Sequence, residues 1–264
     1  MLRPRIIPCL LVEENGLVKT VNFKHPKYIG DPINTVRIFN EKEVDELIIL
    51  DIRATIEDKE PNFKMIENCA KECRMPLCYG GGIKSVEQAI KIFSVGVEKI
   101  ALGSSAIINP SLIKEISQTI GSQSLVVVID VKKNIFGDYQ IFIHNGKKHI
   151  KKDLISFIKE AEIKGAGEII INNIDLDGTM KGYDFSLIEK IRNKTNLPIT
   201  VLGGAGEISH IEELIKKFTI IGAGAGSLFV YKGKYKAVLI NYPTKEIKDN
   251  LSHINLYKWK MQFY

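Results

Sequence analysis

Cysteine and tryptophan are scarce in this sequence, at four and one in 264 residues. Cys9, Cys69, Cys73 and Cys78 lie in apolar surroundings without paired C-x-x-C spacing. That excludes a disulfide framework and suggests reduced thiols in a cytoplasmic protein. Cys69 and Cys73 stand four apart on an expected helix, but no histidine follows nearby, so no metal is expected. No run approaches the ~18 apolar residues of a membrane span, and no cleavage pattern follows Arg3 and Arg5. Lys and Arg outnumber Asp and Glu by 37 to 31, yet they are scattered along helix-like stretches and not massed in an arm. Nucleic acid is therefore not an expected partner, whereas a phosphorylated small molecule suits such a surface. Linkers and low-complexity tracts are also missing, so one domain over 1–264 is expected.

What is present is alternation. Short β-branched runs at 5–11, 46–52, 76–79, 98–102, 125–130, 168–173, 198–202 and 219–223 are separated by segments with helical apolar spacing, such as Val86, Ala89, Ile90 and Phe93. Runs like "LVVVID" are apolar on both faces, as buried parallel strands are. Eight such units predict an α/β fold closed as a (β/α)8 barrel. A spacing of 122 residues recurs between Glu46 and Glu168, Pro76 and Pro198, Gly81 and Gly203, and Ser105 and Ser227. The barrel therefore reads as two half-barrel repeats. A hairpin insertion is expected at about 131–149, with turns at Gly137-Asp138 and Asn145-Gly146, and a C-terminal extension from about 242 packs outside the barrel.

Glycine-rich turns follow strands three, four, seven and eight: "GGGIKS", "GSSA", "GGAGE" and "GAGAGS". Backbone N–H groups of such turns at helix starts can converge on phosphate; tight turns with no ligand are the alternative. Two matched pairs call for a substrate phosphorylated at both ends. "DLDGTMKGYD" after strand six adds Asp177, Gly178 and Thr179. Asp130 closes strand five where a barrel enzyme keeps its acid–base groups, although loop capping is the other reading. Its counterpart in the repeat falls near Leu11. Arg5, Glu46, Lys99 and Glu168 begin strands one, two, four and six, either as a charged ring at the barrel floor or as four solvated charges.

With "RIIPCL", "VNF", "GDP", "YGGGI", "GSQ", "ID", "DGT", "KGYD" and "GGAG" in this order, the chain resembles the cyclase subunit of imidazole glycerol phosphate synthase from about residue 3 to about 240. The resemblance implies a heterodimer in which a glutaminase subunit docks under the floor. Ammonia then passes through the barrel to a bisphosphorylated substrate, in glutamine-dependent lyase chemistry of histidine biosynthesis without a cofactor. It implies an ammonia gate of Arg5, Glu46, Lys99 and Glu168. It implies phosphate sites of Gly81, Gly82 and Ser104 and of Asp177, Gly178, Gly204 and Ser227, with Asp130 and Lys19 catalytic and Asn22 matching. The departures fall at the top: Leu11 replaces the second catalytic aspartate, and Arg53, Tyr79, Gly103, Asn172, Leu176 and Leu202 differ from the usual residues. Divergent members of this family are associated with surface-polysaccharide biosynthesis, where barrel and glutaminase supply ammonia to a separate sugar amidotransferase. The resemblance therefore leaves the cyclase activity itself in doubt.

Overall fold

Runs of valine, isoleucine and leucine too short for helices become the parallel strands β1 (Arg5–Glu13), β2 (Leu47–Asp51), β3 (Leu77–Gly80), β4 (Lys99–Leu102), β5 (Leu125–Lys133), β6 (Glu168–Asn173), β7 (Ile199–Leu202) and β8 (Gly222–Ala225) in the computed structural model, which describes residues 3–251. Each pairs with the next, and β8 pairs back onto β1 through Arg5↔Gly222 to Pro8↔Ala225, so the sheet closes into a barrel. Helices lie between the strands. Several start where the sequence supplies an acceptor: Asp31, Asn62, Ser85, Asp153 and Asp184 each take a backbone N–H three residues on.

Two apolar layers result. The outer one, between strands and helices, contains Leu10, Leu47, Ile66, Leu77, Tyr79, Ile116 and Phe157, while the barrel interior holds Ile7, Cys9, Ile48, Cys78, Ala101, Val126, Val128, Ile170 and Leu202. Period two on β1 thus turns Ile7 and Cys9 inward.

Register makes the repeat physical. Leu11 pairs with Leu50 and Asp130 pairs with Asn172, and Leu50 and Asn172 are separated by the 122-residue repeat. Leu11 is therefore the counterpart of Asp130. One landmark shifts: the short helices after β4 and β8 begin at Ser104 and Ser227, so Ser104, not Ser105, is the counterpart of Ser227.

Three boundaries differ from the sequence reading. The last strand is Gly222–Ala225 and not 219–223, because Thr219 sits at φ +57 and ends the helix Ile208–Phe218. β5 runs on to Lys133 and pairs with Tyr139–Ile143, which pairs in turn with Lys148–Ile150. The stretch after β1 is a second hairpin, Gly16–Val21 against Lys24–Gly30, continuous with β1 through Leu11↔Val18. At the opposite end, Tyr242 donates its hydroxyl to Ile6 O at 2.8 Å and accepts Asp45 N–H at 3.2 Å. This fixes the start of the C-terminal extension beneath the strand starts, and residues 252–264 lie outside the described part. Among the described residues no helix is long and apolar enough to cross a membrane.

Candidate functional site

The charges that begin β1, β2, β4 and β6 meet inside the barrel floor. The Arg5 guanidinium pairs with Glu46 and, at 2.7 Å, with Glu168 Oε1. Lys99 Nζ donates to Glu46 Oε1 at 2.8 Å and to Glu168 Oε2 at 2.9 Å. The Thr200 hydroxyl, from β7, adds a 2.6 Å bond to Glu168. Two cations and two carboxylates thus alternate around the axis, with both glutamates buried. Burial opposes ionisation of Glu168, but Arg5, Lys99 and Thr200 outweigh it and hold its carboxyl down to about 2. Burial also opposes the Arg5 charge, which Glu168 and Glu46 more than restore. Arg5, Lys99 and Glu168 are thereby each held towards their charged forms. Above it the axis is lined by hydrocarbon and by the buried thiols Cys78 and Cys9, whose pKa values burial pushes upward.

The strand C-termini surround an open cavity. Lys19, Gly81, Gly82, Ser104, Asp130, Asp177, Gly178, Gly204 and Ser227 all line it, and so do Leu11, Leu50, Gly103, Asn172 and Leu202. The paired glycines have φ of +122 and +72 at Gly81 and Gly82, and +90 and +112 at Gly203 and Gly204. A side chain at Gly81 would run into Asp51 and one at Gly204 into Gly182. These turns can therefore be made only by glycine, and they present bare backbone to the cavity at two matched points. Ser104 and Ser227 each open the short helix beside them. Ser104 Oγ already accepts His144 N–H at 3.1 Å, and Gly82 N–H donates to Thr55 Oγ1 at 3.2 Å.

Asp177 plays a different local part. Its carboxylate accepts the Thr20 hydroxyl at 2.8 Å and Phe23 N–H at 3.4 Å, while Asn22 donates to Ile174 O and Asp175 O. These bonds tie the 16–30 hairpin to residues 174–177 at the mouth. From the other side Asn145 lines the cavity, and the Gly146 turn lies against Phe23 and Ile174. Lys19, on that hairpin, is buried and donates to Cys9 O at 2.8 Å, next to Gly226. Burial lowers its pKa against the pull of Cys9 and Asp177. Lys19 lies on a paired strand whose Leu17 and Val18 are both buried.

At the upper face, Asp130 accepts Asn172 Nδ2–H at 3.0 Å. Burial pushes its carboxyl up to about 7, Asn172 pulls it back and Asp177 adds to the rise. Opposite stand Leu11 and Leu50, hydrocarbon on hydrocarbon. The space can hold a long anion between two backbone cradles with one proton carrier of near-neutral pKa beside it. Two expected departures are not at this face. Tyr79 points outward, because inward Cys78 fixes the parity of β3, and Arg53 bridges Glu13 and Glu57 away from the cavity lining. Leu50 and Thr200 were missed by sequence reasoning. The 122-residue offset from Asn172 and Cys78 could have found them.

Residues 5–236 match the family described as histidine biosynthesis protein. The chain is 58% identical over 252 residues to a Leptospira borgpetersenii protein provisionally named imidazole glycerol phosphate synthase subunit HisF, covering 95% of this chain and 99% of that one. It is 50% identical over 243 residues to a Pseudomonas aeruginosa protein provisionally named subunit hisF2, covering 92% and 97%. Against imidazole glycerol phosphate synthase subunit HisF of Streptococcus mutans the identity is 39% over 231 residues, covering 88% and 92%.

Proposed function

Since the chain belongs to the histidine biosynthesis protein family, as a relative of HisF subunits, we propose that it is the ammonia-receiving barrel of a glutamine amidotransferase. A glutaminase subunit docks beneath the floor, ammonia enters through the Arg5, Glu46, Lys99 and Glu168 ring, and hydrocarbon walls keep it neutral on the way up. The cavity retains two backbone cradles for a phosphorylated small molecule, Gly81, Gly82 and Ser104 on one side and Gly204 and Ser227 on the other. Its cyclase chemistry is impaired, and the ammonia goes on to a separate sugar-amidating enzyme of surface-polysaccharide biosynthesis in the cytoplasm.

One observation carries this reading: a complete floor ring lies beneath a mouth where Leu11 faces Asp130. Ring closure with cleavage of the substrate needs protons moved at two places, and a leucine moves none. Asp130, with its carboxyl near 7, favours a second reading in which it serves as the lone acid and base of a working cyclase. Complementation separates the two. In a strain lacking its own cyclase, the gene supplied with its cognate glutaminase should fail to restore growth without histidine. Full growth would support the second reading.

A further inference from the structure

Of the chain's four cysteines and five methionines, two of each fall between residues 65 and 75. Met65, Cys69 and Cys73 lie four apart, so the helix Phe63–Glu72 and its C-cap Cys73 bring them up one face. The chain then turns towards β3, and Met75 comes to lie beside Cys73. The Cys69 thiol donates to Met65 Sδ at 3.7 Å and the Cys73 thiol to Met75 Sδ at 3.9 Å. Met65, Cys69 and Met75 are buried and Cys73 is half-buried, so the cluster has one edge towards solvent. Burial pushes both thiols up to about 12, with Asp31 adding to the rise at Cys69, and Cys69 and Glu98 adding to it at Cys73. A redox-active cysteine needs the opposite setting, in which cations favour the thiolate. Among the described residues no three of histidine, cysteine, aspartate and glutamate are placed to hold a metal, which leaves zinc without a ligand set. For a soft ion the two thioethers complete one.

We infer that Met65, Cys69, Cys73 and Met75 form a binding site for a soft monovalent metal ion of the Cu(I) class. Thiolate and thioether donors together select such ions. With metal–sulfur bonds of about 2.3 Å, one ion spans sulfurs about 3.8–4.6 Å apart, from a tetrahedral to a linear arrangement. Both pairs already stand near that spacing. As the ion binds, one thiol gives its proton to water, and the charges of thiolate and cation cancel. Burial that opposes a bare thiolate therefore does not oppose the bound form, while Asp31 and Glu98 favour the incoming cation. Cys9 and Cys78 offer no such set, because each pairs with Ile48 in register and a whole strand separates them. The cluster belongs to the layer between helices and strands, apart from the barrel interior, so the site stands whether or not the barrel delivers ammonia.

The test needs only the purified full chain, kept reduced and titrated with Cu(I) without oxygen, against bicinchoninate as competing chelator. The chain should take one ion from the chelator, and zinc should not displace it. X-ray absorption at the copper edge should show sulfur neighbours alone, at about 2.3 Å. Cys73→Ser, at the half-buried edge, should weaken retention by more than the roughly 10- to 100-fold that loss of an outer-shell partner costs. Met65→Leu keeps the side-chain volume and so the fold, and should weaken retention by ~10-fold or more. Copper left with the chelator, nitrogen or oxygen neighbours in the absorption spectrum, or retention unchanged in one or both variants would overturn the site.

Discussion

Restoring a carboxylate at Leu11 is the most informative perturbation of the mouth. Leu11 is half-buried, paired with Leu50 on one side and Val18 on the other, and it faces the cavity. Leu11→Asp gives up part of a leucine's packing and places a charge on an apolar surface. The open cavity can still wet that charge, so the stability cost should be about 1–3 kcal/mol. The gain is one proton-transfer group, which is typically worth ~10²- to 10⁴-fold in rate, or about 3–5 kcal/mol in the barrier. With the histidine-pathway bisphosphate and ammonium salts as nitrogen source, Leu11→Asp should form imidazole glycerol phosphate at least ~10²-fold faster than the parent. Urea unfolding of both proteins confirms that the variant is folded under assay conditions. A parent that already turns over rapidly, with Leu11→Asp no faster, would refute the idea that a missing proton carrier limits this barrel.

The floor ring, the mouth and the hairpin each make a further prediction. Glu168→Gln leaves Arg5 short of a partner inside the barrel and should destabilise the protein by about 3–5 kcal/mol in guanidinium unfolding, while altering the partner's glutamine hydrolysis. Asp130 holds its proton more tightly in the folded chain, near 7, than at its ordinary 3.8. Its protonation therefore favours the fold fully below about 4, and that contribution is lost as pH rises through 7. Urea midpoints at pH 5 and pH 8 should show the parent losing ground to Asp130→Asn with rising pH. Asn22→Ala removes the bonds to Ile174 O and Asp175 O, each worth about 0.5–1.5 kcal/mol. Hydrogen exchange in 16–30 should then accelerate roughly 5- to 100-fold with little change in the global midpoint.

The barrel was legible from sequence because a strand buried on both faces leaves a dense apolar run, as β5 and β6 do, and because the repeat doubles each signal. What escaped had weaker physical signatures. β8 is built of Gly222, Ala223, Gly224 and Ala225 because Thr200 and Leu202 fill the space where larger side chains would go, so its pattern carries little hydrophobicity and the preceding Ile220-Ile221 drew the strand too early. The Lys24–Gly30 strand is exposed along most of its length and contains Pro26, which reads as loop. Tyr79 seemed a change at the upper face because sequence alone does not fix the parity of a four-residue strand. The floor ring was visible as four strand-start charges. Its closure by Thr200 was not, since a threonine at a strand start is unremarkable until register places it beside Glu168.

The proposed barrel keeps its way in intact while the chemistry at the way out is crippled. It is tested most directly by purifying the chain with its cognate glutaminase, supplying glutamine and the histidine-pathway bisphosphate, and counting both products in one reaction. Brisk glutamine hydrolysis is expected, with free ammonia appearing nearly one for one and almost no imidazole glycerol phosphate. Imidazole glycerol phosphate formed in step with glutamine consumed, at the rate of family members with both aspartates, would contradict that expectation.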